Sequence, residues 1–274
     1  MEEVPEKVGL AIVALSKPVA GNQSYNKLGA FVTPICTLPP AQIVCGIKVG
    51  IKKSVKKNDI KYKVLSDYIG FANAVFITPT DILLIYEGAE PRRKFLDTMI
   101  SSYDPLYLKE YLKYKSTLDQ KNKLLKNSKE SGRVDRTLLD LYNDILTKSG
   151  IHLYQKRKEF MAVFSKEFQS IYKSFGSEDE VVEVEYSSDM NEENKEALLT
   201  NNLELDIQAG RTTRGVHRDD LSFKIKDNPL KSYGSQGQIK SFLIALKLTQ
   251  YQIIKKRSGV APLLLLDDIF EKID

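Results

Sequence analysis

Cysteine, histidine and long apolar runs are scarce in this sequence, and each scarcity disfavours a class of protein. Two cysteines (Cys36 and Cys45) and two histidines (His152 and His217) occur. Two cysteines cannot build a disulfide framework, and the four residues together disfavour a structural zinc site. No run approaches the roughly 18 apolar residues that a membrane-spanning helix needs. The N-terminus carries acids where a secretory signal needs bases, which predicts a cytoplasmic protein without membrane association.

The remaining composition is that of an ordinary globular protein. The chain has 274 residues, of which 42% are hydrophobic and 28% are charged. These values lie well away from those of chains that stay disordered. The length predicts one large or two ordinary domains with a substantial core.

The net charge of +5 hides two runs of opposite sign. Residues 48–63 hold seven lysines against one acid, and residues 178–196 hold nine acids against one lysine. The lysine run is compatible with contacts to nucleic-acid phosphates. We favour the alternative, a solvated strand–turn–strand whose lysines protect a sheet edge. The acidic run is expected to be a solvated surface connection.

Two segments in the first part of the chain have the pattern of β-structure. Residues 42–64 alternate between apolar and polar side chains and predict a hairpin or meander with a turn at positions 58–59. Residues 73–79, NAVFITP, predict a short buried strand. Pro79 ends it, because proline cannot continue a central ladder.

The middle of the chain changes to helical periodicity. Residues 104–175 predict a helical hairpin or small bundle with a break at 127–132. One stripe of this segment is aromatic and is expected to lie in the core: Phe160, Phe164, Phe168 and Tyr172.

The last third returns to mixed structure. Residues 202–216 and 220–233 are predicted to be strands, the second with a turn at 227–229. Residues 235–258 predict an amphipathic helix that Gly259 ends.

Residues 263–268, LLLLDD, carry the strongest local signal. Four leucines followed by two carboxylates describe a fully buried strand that ends in Asp267 and Asp268. This is the pattern of the Walker B motif of P-loop NTPases, whose first acid helps to hold Mg²⁺. In ATP-binding-cassette proteins the second acid polarises the attacking water. Alone the pattern is a weak signal, since many strands end in paired acids.

A second motif opens the long helix upstream of this strand. Residues 235–238, SQGQ, would present backbone N–H groups and a hydroxyl to an anion. ATP-binding-cassette proteins carry a Ser-Gly-Gly-Gln-type signature at this point, which contacts the γ-phosphate of ATP held by the opposite subunit. A helix cap by Ser235 is the plainer interpretation. The order of strand, turn, helix and Walker B strand favours the signature.

Four separate blocks, in the right order, resemble the RecF family of bacterial DNA replication and repair proteins. Three are GVHRDDL at 215–221, YGSQGQ at 233–238 and LLLLDDIFEKID at 263–274. The fourth lies far upstream and consists of Pro79, Asp81, Glu87, Gly88, Arg92, Arg93, Phe95 and Asp97. Residues 104–126 also resemble the start of the RecF helical arm, and the resemblance covers roughly residues 42–274.

The resemblance implies an α/β fold, namely an incomplete P-loop NTPase head of the ATP-binding-cassette type with an inserted helical arm. Residues 1–103 would form the N-terminal part of the head. The arm would take residues 104–175. The C-terminal part of the head, with the signature helix and Walker B, would take residues 176–274.

ATP and Mg²⁺ are the cofactors that the resemblance implies. Asp267 matches the metal-binding acid of Walker B, and Asp268 matches the catalytic acid that activates water. Asp274 matches the terminal acid of the D-loop, although Glu271 stands where many relatives have a small polar residue. The positions that match the signature are Ser235, Gln236, Gly237 and Gln238.

The two remaining blocks receive no catalytic role. GVHRDDL, with His217, is expected to be a packed turn near the nucleotide interface. Arg92 and Arg93 either contact phosphate or pair with Glu87 and Glu90, and the sequence leaves both alternatives open.

The Walker A pattern, G-x-x-x-x-G-K-[ST], does not occur in the sequence. Residues 21–27 hold a glycine and a lysine but lack the second glycine and the trailing hydroxyl residue. We therefore expect this chain to bind ATP poorly and to hydrolyse none by itself.

As a RecF relative, the chain would belong to an ATP-dependent dimer that binds single-stranded and gapped DNA. The resemblance implies a role in recombinational repair and the SOS response, with RecO, RecR and RecA as partners. Two alternatives remain: a non-catalytic RecF remnant that only docks on partners, and another SMC-like or Rad50-like ATPase head. The short arm and the GVHRDDL block argue against the latter.

Overall fold

The structure is a computed structural model whose contacts divide the chain into two units. The first unit is Met1–Asp81 with Gln250–Asp274, and the second is Ile82–Thr249. Within the part of the chain that the structure describes, no helix combines the length and apolar composition that crossing a bilayer requires. The described residues are 12–14, 43–48, 51–57, 60–61, 69–70, 73–174, 180–191, 193 and 195–267.

A parallel sheet organises the first unit. With strands numbered in chain order, β1 (Ile12–Ala14) and β5 (Ala74–Ile77) flank β9 (Leu263–Leu266). Both pair with β9 in parallel, and β5 stops before Pro79, as predicted. The predicted leucine strand is confirmed. It is less deeply buried than expected, because Leu264 is buried and the other three leucines are partly exposed.

An antiparallel meander also belongs to the first unit. Strand β2 (Ile43–Lys48) pairs with β3 (Ile51–Lys57), which pairs with β4 (Ile60–Lys61). Lys57 pairs with Ile60, so the meander is confirmed. The predicted turn at positions 58–59 falls outside the described residues. The strands of this meander carry most of the lysine run.

The second unit contains the predicted helical hairpin. Two short helices, α1 (Leu83–Tyr86) and α2 (Ala89–Ser101), precede it. The hairpin itself consists of α3 (Pro105–Ser131) and α4 (Arg136–Lys173). Its break lies at Gly132, which has a φ of 71°, a left-handed conformation that glycine adopts without strain and that commonly ends a helix.

The acidic run contains a strand, which corrects the expectation of a surface connection. Strand β6 (Val182–Ser187) pairs antiparallel with β7 (Asp220–Ile225), which pairs with β8 (Asn228–Pro229). The acids of β6 alternate with Val182 and Val184, which are both buried. The alternation of buried and more exposed side chains is that of a strand with one buried face, and it indicates the structure of this segment better than the net charge does.

The turn after β7 and the segment before it also differ from the prediction. Lys226 and Asp227 have positive φ, so the turn lies one residue earlier than expected. The strand predicted over 202–216 is wrong, because Leu203–Ala209 form a helix, α6, directly after α5 (Leu198–Asn201). The buried residues of α6, Leu203 and Asp206, are three positions apart, which is a helical spacing.

The predicted C-terminal helix is confirmed. After α7 (Leu230–Tyr233), α8 runs over Gln236–Ser258 and is followed by Gly259 with a φ of 71°. Basic residues in its last turn suit the negative end of the helix dipole.

An aromatic stripe on α4 lies in the core of the second unit. Its four members are buried, as predicted. Phe168 also meets Phe242 of α8, with ring centroids 4.7 Å apart, and Phe164 meets Phe95 of α2 edge-on at 6.3 Å. The stripe therefore packs α4 against both α2 and α8. Its members are Phe160, Phe164, Phe168 and Tyr172.

Candidate functional site

Asp267 lies at the carboxyl end of the central strand of the parallel sheet. Its backbone N–H donates to the Ile77 carbonyl oxygen at 2.9 Å. Next to it, at the end of β5, the Thr78 N–H donates to the Asp81 carboxylate at 2.8 Å. Ligands of α/β sheets bind at this edge. Mg²⁺ commonly takes one or two carboxylates and completes its shell with phosphate oxygens and water, so Asp267 is a chemically suitable ligand.

The described residues include only part of the predicted catalytic machinery. Asp268 and Asp274 lie outside the described residues. Among the residues that are described, no group of three or more His, Cys, Asp or Glu side chains is arranged to hold a metal. Asp267 belongs to the first unit and residues 235–238 belong to the second.

Residues 235–238 form the start of α8 and cap it themselves. The Ser235 hydroxyl accepts from the Gln238 N–H at 3.2 Å, and Gln238 Oε1 accepts from the Ser235 N–H at 2.8 Å. This reciprocal pair is a capping box. The helix cap considered for Ser235 is therefore present. It leaves the N–H groups of Gln236 and Gly237 at the positive end of the helix, where an anion is stabilised.

Gly237 has no conformational reason to be glycine. Its φ lies outside the left-handed region, and an added Cβ would meet only Ser235 Oγ, at 4.0 Å. Gly215 is different, because its φ is 120° and a Cβ there would stand 2.8 Å from the Tyr114 hydroxyl. The missing side chain at position 237 thus leaves open space in front of the helix rather than relieving a clash.

The GVHRDDL block is packed onto a buried arginine. Arg157 of α4 donates through Nη1 to the Val216 carbonyl oxygen (2.8 Å) and to Asp219 Oδ2 (2.6 Å). Its Nη2 donates to Asp97 Oδ1 at 2.8 Å. Burial raises the pKa of Asp219, and the charge of Arg157 opposes that rise. Two tyrosine hydroxyls add donors to these carboxylates, Tyr107 to Asp97 and Tyr186 to Asp219.

Arg92 and Arg93 both bond to the GVHRDDL block. Arg92 forms a bidentate pair with Asp220, at 2.8 and 2.9 Å, and its Nη1 also donates to the Glu87 backbone carbonyl. Arg93 donates to the Asp219 backbone carbonyl at 2.8 Å. Ion pairing is thus the right kind of contact for Arg92, but the partner is the GVHRDDL block rather than a nearby glutamate side chain.

His217 is a buried, neutral side chain. Its Nε2 is 3.2 Å from the Thr212 carbonyl oxygen, which can only accept, so Nε2 carries the proton. Nδ1 then accepts from the Tyr114 hydroxyl at 2.8 Å. Burial lowers the pKa of His217 to about 4. A cavity of about 310 Å³ lies beside the ring. Because both ring nitrogens are already bonded, His217 is suited to packing and not to proton transfer.

This histidine should make the fold sensitive to mild acid. In the unfolded chain His217 takes up a proton near pH 6.5, whereas in the folded chain it does so only near pH 4. Stability is therefore lost as the pH falls, by about 2 kcal/mol between roughly pH 7 and 5. Urea unfolding at both pH values should show that His217→Asn lacks this loss and that His152→Asn retains it. An equal loss in His217→Asn and wild type would contradict the assignment.

Comparison with known proteins identifies the family. No protein-family model matches the chain. "DNA replication and repair protein RecF" of Flavobacterium johnsoniae is 44% identical over 233 residues, which is 85% of this chain and 65% of that protein. The protein of the same name from Phocaeicola vulgatus is 40% identical over 236 residues, 86% of this chain and 63% of that protein.

The chain belongs to the RecF family. A solved structure of the recombination mediator protein RecF-ATP in the RecFOR pathway matches with a TM-score of 0.78 and 32% identity, and the match covers 85% of this chain and 65% of that one. The fold is therefore that of part of an α/β ATPase head of the ATP-binding-cassette type with an inserted helical arm. The chain spans 60–65% of the length of three curated RecF relatives.

Three polar residues that the sequence patterns did not single out make central contacts in the structure. Arg157, Lys121 and Glu180 each bind a group far away in the sequence. Arg157 and Lys121 each left a signal. Arg157 stands three positions before Phe160 on α4, and Lys121 stands four positions before Leu125 on α3. A charged residue inside an apolar stripe indicates a buried counter-charge.

Proposed function

We propose that this chain acts as a RecF-type, ATP-dependent DNA-binding protein in DNA replication and repair. The support is its similarity to RecF proteins over about 85% of its length. On this proposal it works in the cytoplasm on single-stranded and gapped DNA, as a homodimer or paired with an intact RecF subunit. Because the sequence has no Walker A pattern, the chain needs the intact subunit to hold the ATP and is inactive by itself. Contacts to backbone phosphates would make the binding independent of sequence and sensitive to salt. Its partners would be RecO, RecR and RecA, in recombinational repair and the SOS response.

The proposal gives each motif a task. With nucleotide bound, Asp267 would hold Mg²⁺ at the edge of the parallel sheet, Asp268 would activate the attacking water, and Asp274 would belong to the D-loop. Bound Mg²⁺ supplies charge stabilisation at the phosphate oxygens. Residues 1–103 and 176–274 would belong to the head, and residues 104–175 to the arm. The γ-phosphate of ATP held by the opposite subunit would contact the signature: Ser235, Gln236, Gly237 and Gln238.

The observation that carries this proposal is the open space at Gly237. This glycine is exposed, lies at the start of a 23-residue helix, and has neither a left-handed φ nor a close neighbour. Phosphates bind at helix N-termini where the backbone can be approached closely. A residue without a side chain at this point suits such an approach and serves no other need of the described fold.

Gly237→Ala is expected to weaken the nucleotide-dependent association of this chain with an intact RecF at least tenfold. The added methyl group would occupy space that a phosphate needs, while the helix gains an alanine and keeps its stability. The measurement is sedimentation velocity of the chain mixed with the Flavobacterium johnsoniae protein. It is made with and without Mg²⁺ and a slowly hydrolysed ATP analogue.

Gly88→Ala is the matched control. Gly88 also stands at a helix N-terminus with nothing within 4 Å of an added Cβ, so this variant should associate like wild type. Equal association of Gly237→Ala and wild type would overturn the signature assignment. Association that does not depend on nucleotide would favour the second candidate function, a non-catalytic RecF remnant that only docks on its partners.

A further inference from the structure

Both ends of the side-chain amide of Gln238 are hydrogen-bonded at the start of α8. Its Oε1 accepts from the Ser235 N–H at 2.8 Å, and its Nε2 donates to Glu180 Oε1 at 2.6 Å. Because an amide accepts on one side and donates on the other, these two partners fix the direction in which it points. The orientation of Gln238 therefore depends on Glu180, a residue outside the helix.

Glu180 is held in turn from the base of the helical arm. Its Oε2 accepts from the Tyr172 hydroxyl at 2.7 Å. Tyr172 is 1% exposed, lies one residue before the end of α4, and is the last member of the aromatic stripe. Its ring also meets Phe242 of α8, with centroids 6.4 Å apart. Ring packing and a hydrogen-bonded bridge thus join the end of α4 to α8.

The charge of Glu180 suits this bridge. Hydrogen bonds from Gln238 and Tyr172 lower the pKa of its carboxyl group below the ordinary value, so it is ionised at neutral pH. Hydrogen bonds to a carboxylate are roughly twice as strong as those between neutral groups. Each carboxylate oxygen takes one of the two donors, so a single side chain serves both helices.

We propose that Glu180 is a positioning residue that couples the base of the arm to the signature turn, residues 235–238. Tyr172 holds Glu180, Glu180 holds Gln238, and Gln238 holds Ser235. The proposal rests on the nucleotide-binding role given above to the signature turn. Displacement of the end of α4 would break the Tyr172–Glu180 bond and release Gln238. Arm position and phosphate contact are then linked, and by reciprocity a phosphate bound at the turn stabilises the base of the arm.

Hydrogen exchange of the chain without nucleotide tests the bridge directly. Glu180→Ala should speed exchange of the Gln238 and Ile239 amides about tenfold, and Tyr172→Phe should speed it about threefold. Tyr154→Phe is the matched control. It removes a hydroxyl from the same helix, one that donates at 2.7 Å to Asn191 and not to Glu180. We expect it to leave exchange in the signature turn unchanged.

The outcomes separate this inference from the function on which it rests. Equal exchange in Tyr172→Phe and Tyr154→Phe, or faster exchange spread evenly along α8, would overturn the bridge. If the bridge holds, Tyr172→Phe should also weaken nucleotide-dependent association with an intact RecF about threefold, and Tyr154→Phe should not. Faster exchange at the signature turn with no nucleotide-dependent association in wild type would sustain the bridge but reject the nucleotide role.

Discussion

Arg157→Met is expected to lower the free energy of unfolding by about 4 kcal/mol. Methionine fills most of the space of the arginine stem but supplies no charge. Asp97 and Asp219 would remain buried without their cation, and the Val216 carbonyl would lose a donor. An uncompensated buried carboxylate is far more costly than the loss of an exposed ion pair. Urea unfolding followed by circular dichroism measures the difference.

Lys156→Met provides the comparison for this variant. Lys156 is the preceding residue on α4 and pairs with Asp104 at 3.1 Å, but their side chains are 37% and 18% exposed. Its removal should cost under about 1 kcal/mol. A loss for Arg157→Met that is no larger than this would contradict its role as the buried counter-charge.

A pH dependence should accompany the loss in Arg157→Met. Burial already raises the pKa of Asp219, and without the opposing arginine the pKa rises further. A carboxyl whose folded pKa is raised stabilises the fold while it is protonated and destabilises it as the pH rises. The difference from wild type should therefore be smaller at about pH 5 than at about pH 8. A pH-independent difference would indicate lost packing instead of lost charge pairing.

The elements that local patterns specify were predictable from the sequence. The aromatic stripe of α4 recurs every fourth residue, Gly132 breaks the hairpin through its left-handed φ, and Pro79 follows the end of β5. In each case the deciding interaction lies within a few residues of the chain. The leucines of β9 belong with these, since a short apolar run suits the middle of a parallel sheet.

The wrong predictions arose where the burial of side chains differed from what their residue types suggest. Residues 203–207, LELDI, alternate like a strand, yet Leu205 is 56% exposed while Leu203 and Asp206 are buried. Three-residue spacing of the buried side chains made this segment a helix. The inward charge of Asp206 hid that spacing, because a periodicity analysis counts an aspartate as a solvent-facing residue. The acids of β6 misled for a different reason, because their number drew attention away from their alternation with the buried Val182 and Val184.

The candidate site was predictable only as far as its motifs are local. The SQGQ turn caps α8 as its residue types suggest, and Asp267 follows a strand as expected. The sequence alone assigns no role to Glu180, because its contacts are with Gln238, 58 positions away, and with Tyr172 beyond the end of α4. Arg92 illustrates the same limit. Its partner, Asp220, lies 128 positions away, whereas glutamates stood beside it in the sequence.

Lys121→Met is expected to lower the free energy of unfolding by about 3 kcal/mol. This lysine stands four positions before Leu125, in line with the buried residues of α3, and its side chain is fully buried. Its Nζ lies 2.6 Å from Asp206 Oδ2 of α6. Burial lowers the pKa of Lys121, and Asp206 opposes that shift. Methionine would leave the carboxylate of Asp206 buried with only the backbone and hydroxyl donors of Thr213. Urea unfolding measures the loss.

Lys148 and Asp144 form an exposed ion pair, which serves as the comparison for the buried pair of Lys121 and Asp206. Its nitrogen and oxygen are 2.7 Å apart, almost the length of the Lys121 pair, but its side chains are 71% and 55% exposed. Lys148→Met should therefore cost less than about 0.5 kcal/mol. Adding Asp206→Asn to Lys121→Met should recover about half of the loss, because the neutral amide still accepts from Thr213. Equal losses for the two single lysine variants would mean that burial of Lys121 and Asp206 adds nothing to their pairing.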